Sequence, residues 1–304
     1  MERPHFSRRV FLLAAAGVAG ENIRISRGAA MTARQAIERI QNNAGVAIPD
    51  NAVDGFKAGD PEIAVKGIAT TAITTMDALK QAAKRRLNLV LTYENVYFGQ
   101  EPMTMPQGGS AGGRSQQPLY PNDPVYEAKK KFIEKNGMAV FRFRDQWTAR
   151  KDNPLAMGLG EALGWSHYQV AGDPTTYQIP SAPLETLVAD IRKRLNMRAG
   201  IRVVGDRQAL IRKVAVVPGS ITIETGIKRL LEADLLITGQ SQEWDVTEYA
   251  FDAAYAGFKK GYIMLGVLVS EDPGMRACSD WIKSVLKNVP VEWIGTGDPY
   301  WRPA

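Results

Sequence analysis

Alternation constrains this chain more than any other feature. Short apolar runs recur along it, and most are followed by a stretch with helical spacing and helical stop signals. The runs VKGIATT (65–71), NLVL (88–91) and MAVFRF (138–143) read as strands. Thr32-Ala33-Arg34-Gln35 reads as a capping box opening a helix over 33–42. Caps at Thr74 to Asp77 open a second helix over 76–86. Asp123-Pro124 starts a third, which stops at Asn136-Gly137. Later helices are expected over 155–163, 183–196, 223–232, 243–256 and 273–286. Strands are expected over 201–205, 211–217, 234–238, 261–268 and 291–294. Alternation of this kind predicts an α/β fold with largely parallel sheets. No fixed period repeats, which argues against a solenoid.

The chain has 304 residues, 45% of them hydrophobic and 23% charged, enough for one large or two modest domains. Two α/β halves are expected, 31–155 and 156–304, with a crevice between them. The segment 101–123 holds Gly108, Gly109, Gly112 and Gly113 among Ser, Gln and Pro, and reads as a mobile loop. It is either a lid or a tolerated insertion. The single Cys278 cannot form an internal disulfide. The formal net charge is +6, but the first 30 residues hold Arg3, Arg8, Arg9, Arg24 and Arg27 against only Glu2 and Glu21. No basic run with interleaved aromatics stands out, so nucleic acid is not an expected partner.

The stretch FSRRVFLLAAAGVAG has the order of an export signal, with Ser7-Arg8-Arg9-Val10-Phe11-Leu12 close to the twin-arginine pattern. Its apolar run is too short for a membrane helix, which takes about 20 residues. Residues 1–30 therefore read as a leader directing the folded protein to the periplasm or cell envelope, with no stable membrane insertion once it is removed. If Met31 is the true start, the protein is cytoplasmic.

Chemistry is expected at strand ends. In open α/β sheets ligands bind beyond the carboxyl ends of the strands. Glu94 follows the strand ending near Thr92, Asp145 follows Phe143, and Glu271 follows Leu268. Converging carboxylates need a cation, a proton or water. Histidine, which most transition-metal sites prefer, is scarce: His5 lies in the leader, and His167 reads as a surface loop residue.

Six stretches sharpen this reading: DNAVDGFKAGDPEIAVKGIATT, NLVLTYEN, VFRFRDQW, ADLLITGQSQEW, LGVLVSEDPGM and VPVEWIGTGDPYW. In sequence and order they resemble the NIF-three-like family, the dinuclear metal-centre hexameric proteins, some labelled GTP cyclohydrolase type-2-like. The resemblance spans nearly all of 31–304. It implies two interleaved α/β halves, a homo-oligomer in the form of a hexameric ring, and two metal ions in a crevice. It also implies four ligand histidines, and this chain has none of them. Tyr93, Arg144, Gln146 and Val267 occupy those positions, while the carboxylates Glu94, Asp145 and Glu271 remain. Glu243, in Gln242-Glu243-Trp244, lies in a region near the family's crevice.

Val267 cannot ligate, and Arg144 is a cation with no lone pair to offer. Gln146 offers only a carbonyl oxygen. Tyr93 ligates only as phenolate, which needs a strong Lewis acid because its ordinary pKa is near 10. The remaining donors are oxygens, which favour a hard ion: Mg, Mn or Ca, with ferric iron through Tyr93 less favoured. Two functions stay open. One is a metal-poor binding or scaffold protein with a degenerate site, in which Arg144 takes the electrostatic role of the metal by pairing with Glu94, Asp145 or Glu271. The other is a metal-dependent hydrolase of a small phosphorylated or nucleotide-like molecule.

Overall fold

The structure is a computed structural model that describes residues 30–50, 52–97, 120–197, 200–297 and 299–300. The expected leader up to residue 29, and all of the 101–123 loop before Tyr120, lie outside the described residues.

Helix α1 (Ala33–Asn43) opens on the expected capping box, with Thr32 accepting from the Gln35 amide and Gln35 returning to the Thr32 amide. It is followed by β1 (Gly55–Ala58), β2 (Ile68–Thr71), α2 (Met76–Lys84), β3 (Leu89–Thr92), α3 (Pro124–Lys135) and β4 (Ala139–Arg142). Next come the short α4 (Asp145–Thr148), α5 (Pro154–Ala162), β5 (Gln169–Val170), β6 (Asp173–Pro183), α6 (Leu184–Arg194) and β7 (Arg202–Val204). The chain continues with β8 (Leu210–Ser220), α7 (Ile223–Glu232), β9 (Leu235–Gln240), a π-helical turn (Glu243–Thr247) and α8 (Glu248–Tyr255). It ends with β10 (Gly261–Met264), α9 (Val267–Val285) and β11 (Val291–Trp293).

The strands form two sheets. The first runs β1-β4-β3-β2-β11, with β11, β2, β3 and β4 parallel and β1 antiparallel at the edge. The second runs β5-β6-β8-β9-β10-β7. Its centre, β8-β9-β10, is parallel, and its flanks are antiparallel. The fold is α/β as expected, with its parallel strands at the heart of each sheet. β2, β3, β4 and β10 are buried along their whole length, as strands covered on both faces must be, which explains their unbroken apolar runs. The halves are interleaved: β11 returns from the end of the chain to pair with β2, so a division at 155/156 separates the two sheets only up to β10.

Helix α9 joins the two layers. Met275, Cys278 and Ile282 pack into the core beneath the first sheet with Leu91, Phe141, Phe143 and Trp147. On another side α9 crosses α5 closely. A Cβ on Gly158 would lie 2.8 Å from the Gly274 Cα, and one on Gly274 would lie 2.7 Å from the Leu155 Cα.

Two expectations fail here. The strand expected over 261–268 ends at Met264, and the helix expected to start at Pro273 starts at Val267, with Pro273 inside it. Gly266, at φ 94°, breaks the strand. The apolar run Val267-Leu268-Val269 prolongs the strand's hydropathy although it forms the first helical turn. The helix expected over 243–256 opens with a π-helical turn. The strands β1, β5 and β6 have no counterpart among those expected.

Candidate functional site

The first sheet brings its strand ends toward the start of α9. Beyond β3, the amides of Tyr93 and Glu94 continue the ladder onto the Thr71 and Ala72 carbonyls at 3.2 and 2.8 Å. Beyond β4, the chain turns at once into α4. From the second sheet come the close approaches that seat α9. A Cβ on Gly239 would lie 2.7 Å from Ser270 Oγ, and one on Gly219 would lie 2.7 Å from Glu271 Oε1. Gly219 also sits at φ 80°, so both its backbone and its neighbour require glycine. Ser270 Oγ accepts from the Gly219 amide at 2.9 Å and donates to the Val267 carbonyl at 2.7 Å, which makes it a structural hydroxyl.

Arg144 is the centre of the cluster. Its guanidinium donates to Glu94 Oε1 at 2.8 Å, and its Cζ lies 4.9 Å from the centre of the Tyr93 ring. Burial opposes the charge on Arg144, but Tyr93, Glu94 and Glu271 outweigh it and its pKa rises. Tyr93 is buried, with its hydroxyl 3.2 Å from Thr148 Oγ1. Burial pushes its phenol up to about 12, against a lowering by Arg144. Glu271 is 2% exposed, and its Oε2 has no hydrogen-bond partner. Burial first, and then the charge of Glu94, push its pKa up to about 8, so it is held as the neutral acid.

Asp145 lies in a different environment. Its Oδ2 accepts from the Val53 amide at 2.7 Å. Beside it, Asp54 accepts three backbone N–H groups at the start of α4: Arg144 at 2.8 Å, Asp145 at 2.9 Å and Gln146 at 2.9 Å. These are the orphan donors of a helix start, and Asp54 satisfies them from 90 or more residues away in sequence. Burial nevertheless raises the Asp54 pKa. Sequence reasoning misses Asp54, although it stands in the DNAVDGF stretch, and also misses Thr148 and Gly219.

The remaining candidates are not brought into this cluster. Gln146 is buried toward α1, donating to the Gln41 and Val46 carbonyls at 3.1 and 3.0 Å. Val267 is the first residue of α9, and its carbonyl receives Ser270. Glu243 is 79% exposed and meets Arg202 at 3.5 Å. Asp272 accepts from the Thr296 and Gly297 amides at 2.8 and 3.2 Å, anchoring the chain after β11.

A transition metal fits this donor set poorly. Glu94 is paired to a cation, and the Tyr93 hydroxyl is set against Thr148. Asp145 is engaged with a backbone amide, and Gln146 faces elsewhere. Among the described residues, no group of three or more His, Cys, Asp or Glu side chains is arranged to hold a metal ion.

This fold is shared with NIF3-related proteins of known structure, and part of the chain matches that family. Residues 157–295 match the family Duf34/NIF3 (NGG1p interacting factor 3). The chain is 24% identical over 249 residues to a GTP cyclohydrolase 1 type 2 homolog of Clostridium perfringens, spanning 79% of this chain and 86% of that protein. Two solved structures share the fold. A Bacillus cereus protein related to NIF3 has a TM-score of 0.69 at 12% identity, covering 90% of this chain and 99% of that one. A hypothetical protein of Staphylococcus aureus has a TM-score of 0.68 at 16% identity, covering 90% and 100%.

Proposed function

We propose that this chain is a metal-independent member of the NIF3-like group, a binding and scaffold protein whose crevice is organised by Arg144 in place of metal ions. The observation that carries the reading is the 2.8 Å ion pair between Arg144 and Glu94, laid against the Tyr93 ring. A metal ion and an adjacent guanidinium compete for the same carboxylate, and the repulsion between the two cations adds to the cost. Glu94 already has its cation. A hydrolase that activates water on a hard ion would need that carboxylate free.

The Arg144 side chain is 36% exposed and uses one of its nitrogens on Glu94. Its other N–H groups suit an acceptor on a small ligand, such as a carboxylate or phosphate oxygen. The reading includes assembly into a homo-oligomer, a hexamer by the resemblance, and export through the twin-arginine-like Arg8-Arg9 leader. Thermal melting with added Mn or Zn, and then with chelator, tests the metal-independent reading. The melting temperature is expected to stay constant. A rise with metal that chelator reverses contradicts the reading.

A further inference from the structure

A cavity of about 380 Å³ lies at the end of α1 and shares no residue with the Arg144 cluster. One wall is the last turn of α1, with Gln41 and Asn42, and the other is the loop from Gly45 to Ile48. Gly45, at φ 75°, turns the chain out of the helix into that loop. Gln146 closes the cavity from α4.

Gln146 is 2% exposed. Its Nε2 donates to the Gln41 and Val46 carbonyls at 3.1 and 3.0 Å, both on residues that line the cavity. Those two bonds fix the orientation of the amide, because an oxygen facing two carbonyls would be repelled. Oε1 is covered, and it accepts from no group among the described residues. A covered acceptor without a donor costs the full desolvation of that oxygen, and so calls for a donor from outside the chain.

The surroundings set the charge of that donor. Among the described residues, no charged side chain lines the cavity. The last turn of α1 holds no basic residue, and its negative dipole end faces this loop. Arg150 does reach the Ala44 carbonyl at 3.2 Å, but Asp152 holds it at two points, 3.2 and 3.1 Å, and offsets its charge. Next to Gln146 stand two acids: its backbone amide goes to Asp54 Oδ2 at 2.9 Å, and Asp145 precedes it in the chain. A cation is therefore favoured. Val46, Ala47 and Ile48 make an apolar wall, and Ile48 is 49% exposed.

We propose that this cavity binds a small primary alkylammonium ion, its N–H groups on Gln146 Oε1 and its alkyl part on Val46, Ala47 and Ile48. An ammonium carries three donors and no acceptor, which suits a floor that lacks a donor. A bare inorganic ion would leave most of the volume empty, whereas the volume lies within the roughly 300–1,000 Å³ of small-molecule sites. The loop shifts to uncover Oε1, and Gly45, with no atom within 4 Å of where a Cβ would stand, has room to turn. The proposal does not rest on the reading of the Arg144 cluster.

Isothermal titration of the full chain with ethylammonium chloride tests it, with potassium chloride at the same ionic strength as the control. One equivalent of ethylammonium per chain is expected to bind, and potassium is expected to give no such heat. Ala47→Trp fills the cavity and leaves Gln146 in place. It is expected to weaken binding about tenfold or more, with an unchanged circular-dichroism spectrum. Gln146→Met keeps the length of the side chain, removes the acceptor and is expected to weaken binding likewise. The absence of one-site heat with ethylammonium overturns the proposal. An equal response to potassium overturns it too, and makes this an inorganic ion site. Binding that survives Ala47→Trp also overturns it, because the amine then sits elsewhere.

Discussion

Two carboxylate niches flank α4, and they are built on opposite principles. At the start of the helix, Asp54 and Asp145 point into backbone: Asp54 takes three amides and Asp145 takes one. In the Arg144 cluster, Glu94 and Glu271 have no backbone donors holding their carboxylates. One is paired with Arg144, and the other is buried as a neutral acid with an unpartnered oxygen. If these are the family's metal-site positions, as the resemblance implies, then a carboxylate retained at one of them is not thereby a retained ligand. In the proposed reading Asp145 belongs to the scaffold, and Glu94 and Glu271 belong to a cluster whose charge is balanced by a guanidinium and a proton.

Substitutions can break this comparison, and removing Asp54 is expected to have the largest effect. Asp54→Ala leaves three N–H groups at the start of α4 unpaired, one buried and two part-buried, at about 1 kcal/mol or more each, or about 3–4 kcal/mol in all. Chemical denaturation would measure it, and a loss under about 1 kcal/mol would show that α4 does not need this cap.

Glu271→Gln tests the other niche and should stabilise. Glu271 has a folded pKa of about 8 against an ordinary 4.5. As pH rises from 4.5 toward 8, the unfolded chain releases a proton that the folded chain keeps, so wild-type stability falls. Above about 8 both states are ionised and the penalty is complete. The Gln variant is therefore expected to match wild type near pH 4 and to exceed it by about 2–3 kcal/mol near pH 6.5. Parallel pH–stability curves for the two proteins would contradict the neutral acid.

Gly219→Ala comes next. It places a Cβ 2.7 Å from Glu271 Oε1 on a residue at φ 80°, and about 2 kcal/mol of destabilisation is expected. Combining it with Glu271→Ala should recover the part due to contact and leave the part due to backbone strain. Full additivity of the two changes would place Gly219 outside the crevice. Arg144→Ala is expected to have the smallest effect, about 1 kcal/mol, because the ion pair is partly exposed and screened. Its sharper readout is salt: the difference from wild type should shrink at high ionic strength.

Some of this is legible in the amino-acid sequence. The capping box of α1 and the strand end at Thr92 follow from local patterns and the fold has them where those patterns lie, while the strand expected to end at Phe143 ends one residue earlier, at Arg142. The parallel pairing of β3 with β4, which those patterns do not encode, then puts Glu94 and Arg144 at the same edge of one sheet. Glu271 reads as a strand-end residue because Val267 to Val269 is apolar and β-branched enough to pass for strand. Only the backbone at Gly266 shows that a helix begins there. Asp54 is invisible as a cap because its partners are 90 or more residues away and no local spacing encodes them. The direction of Gln146 is equally hidden. The two-residue alternation of a strand stops at Arg142, and α4 turns Gln146 toward α1 instead of toward Glu94.

The central claim is that a guanidinium holds the place of the metal. Metal analysis of the purified full chain, produced with Mn, Fe and Zn supplied, tests it most directly. The account predicts transition metal well below one equivalent per chain. About two equivalents, as a dinuclear centre would hold, would contradict it.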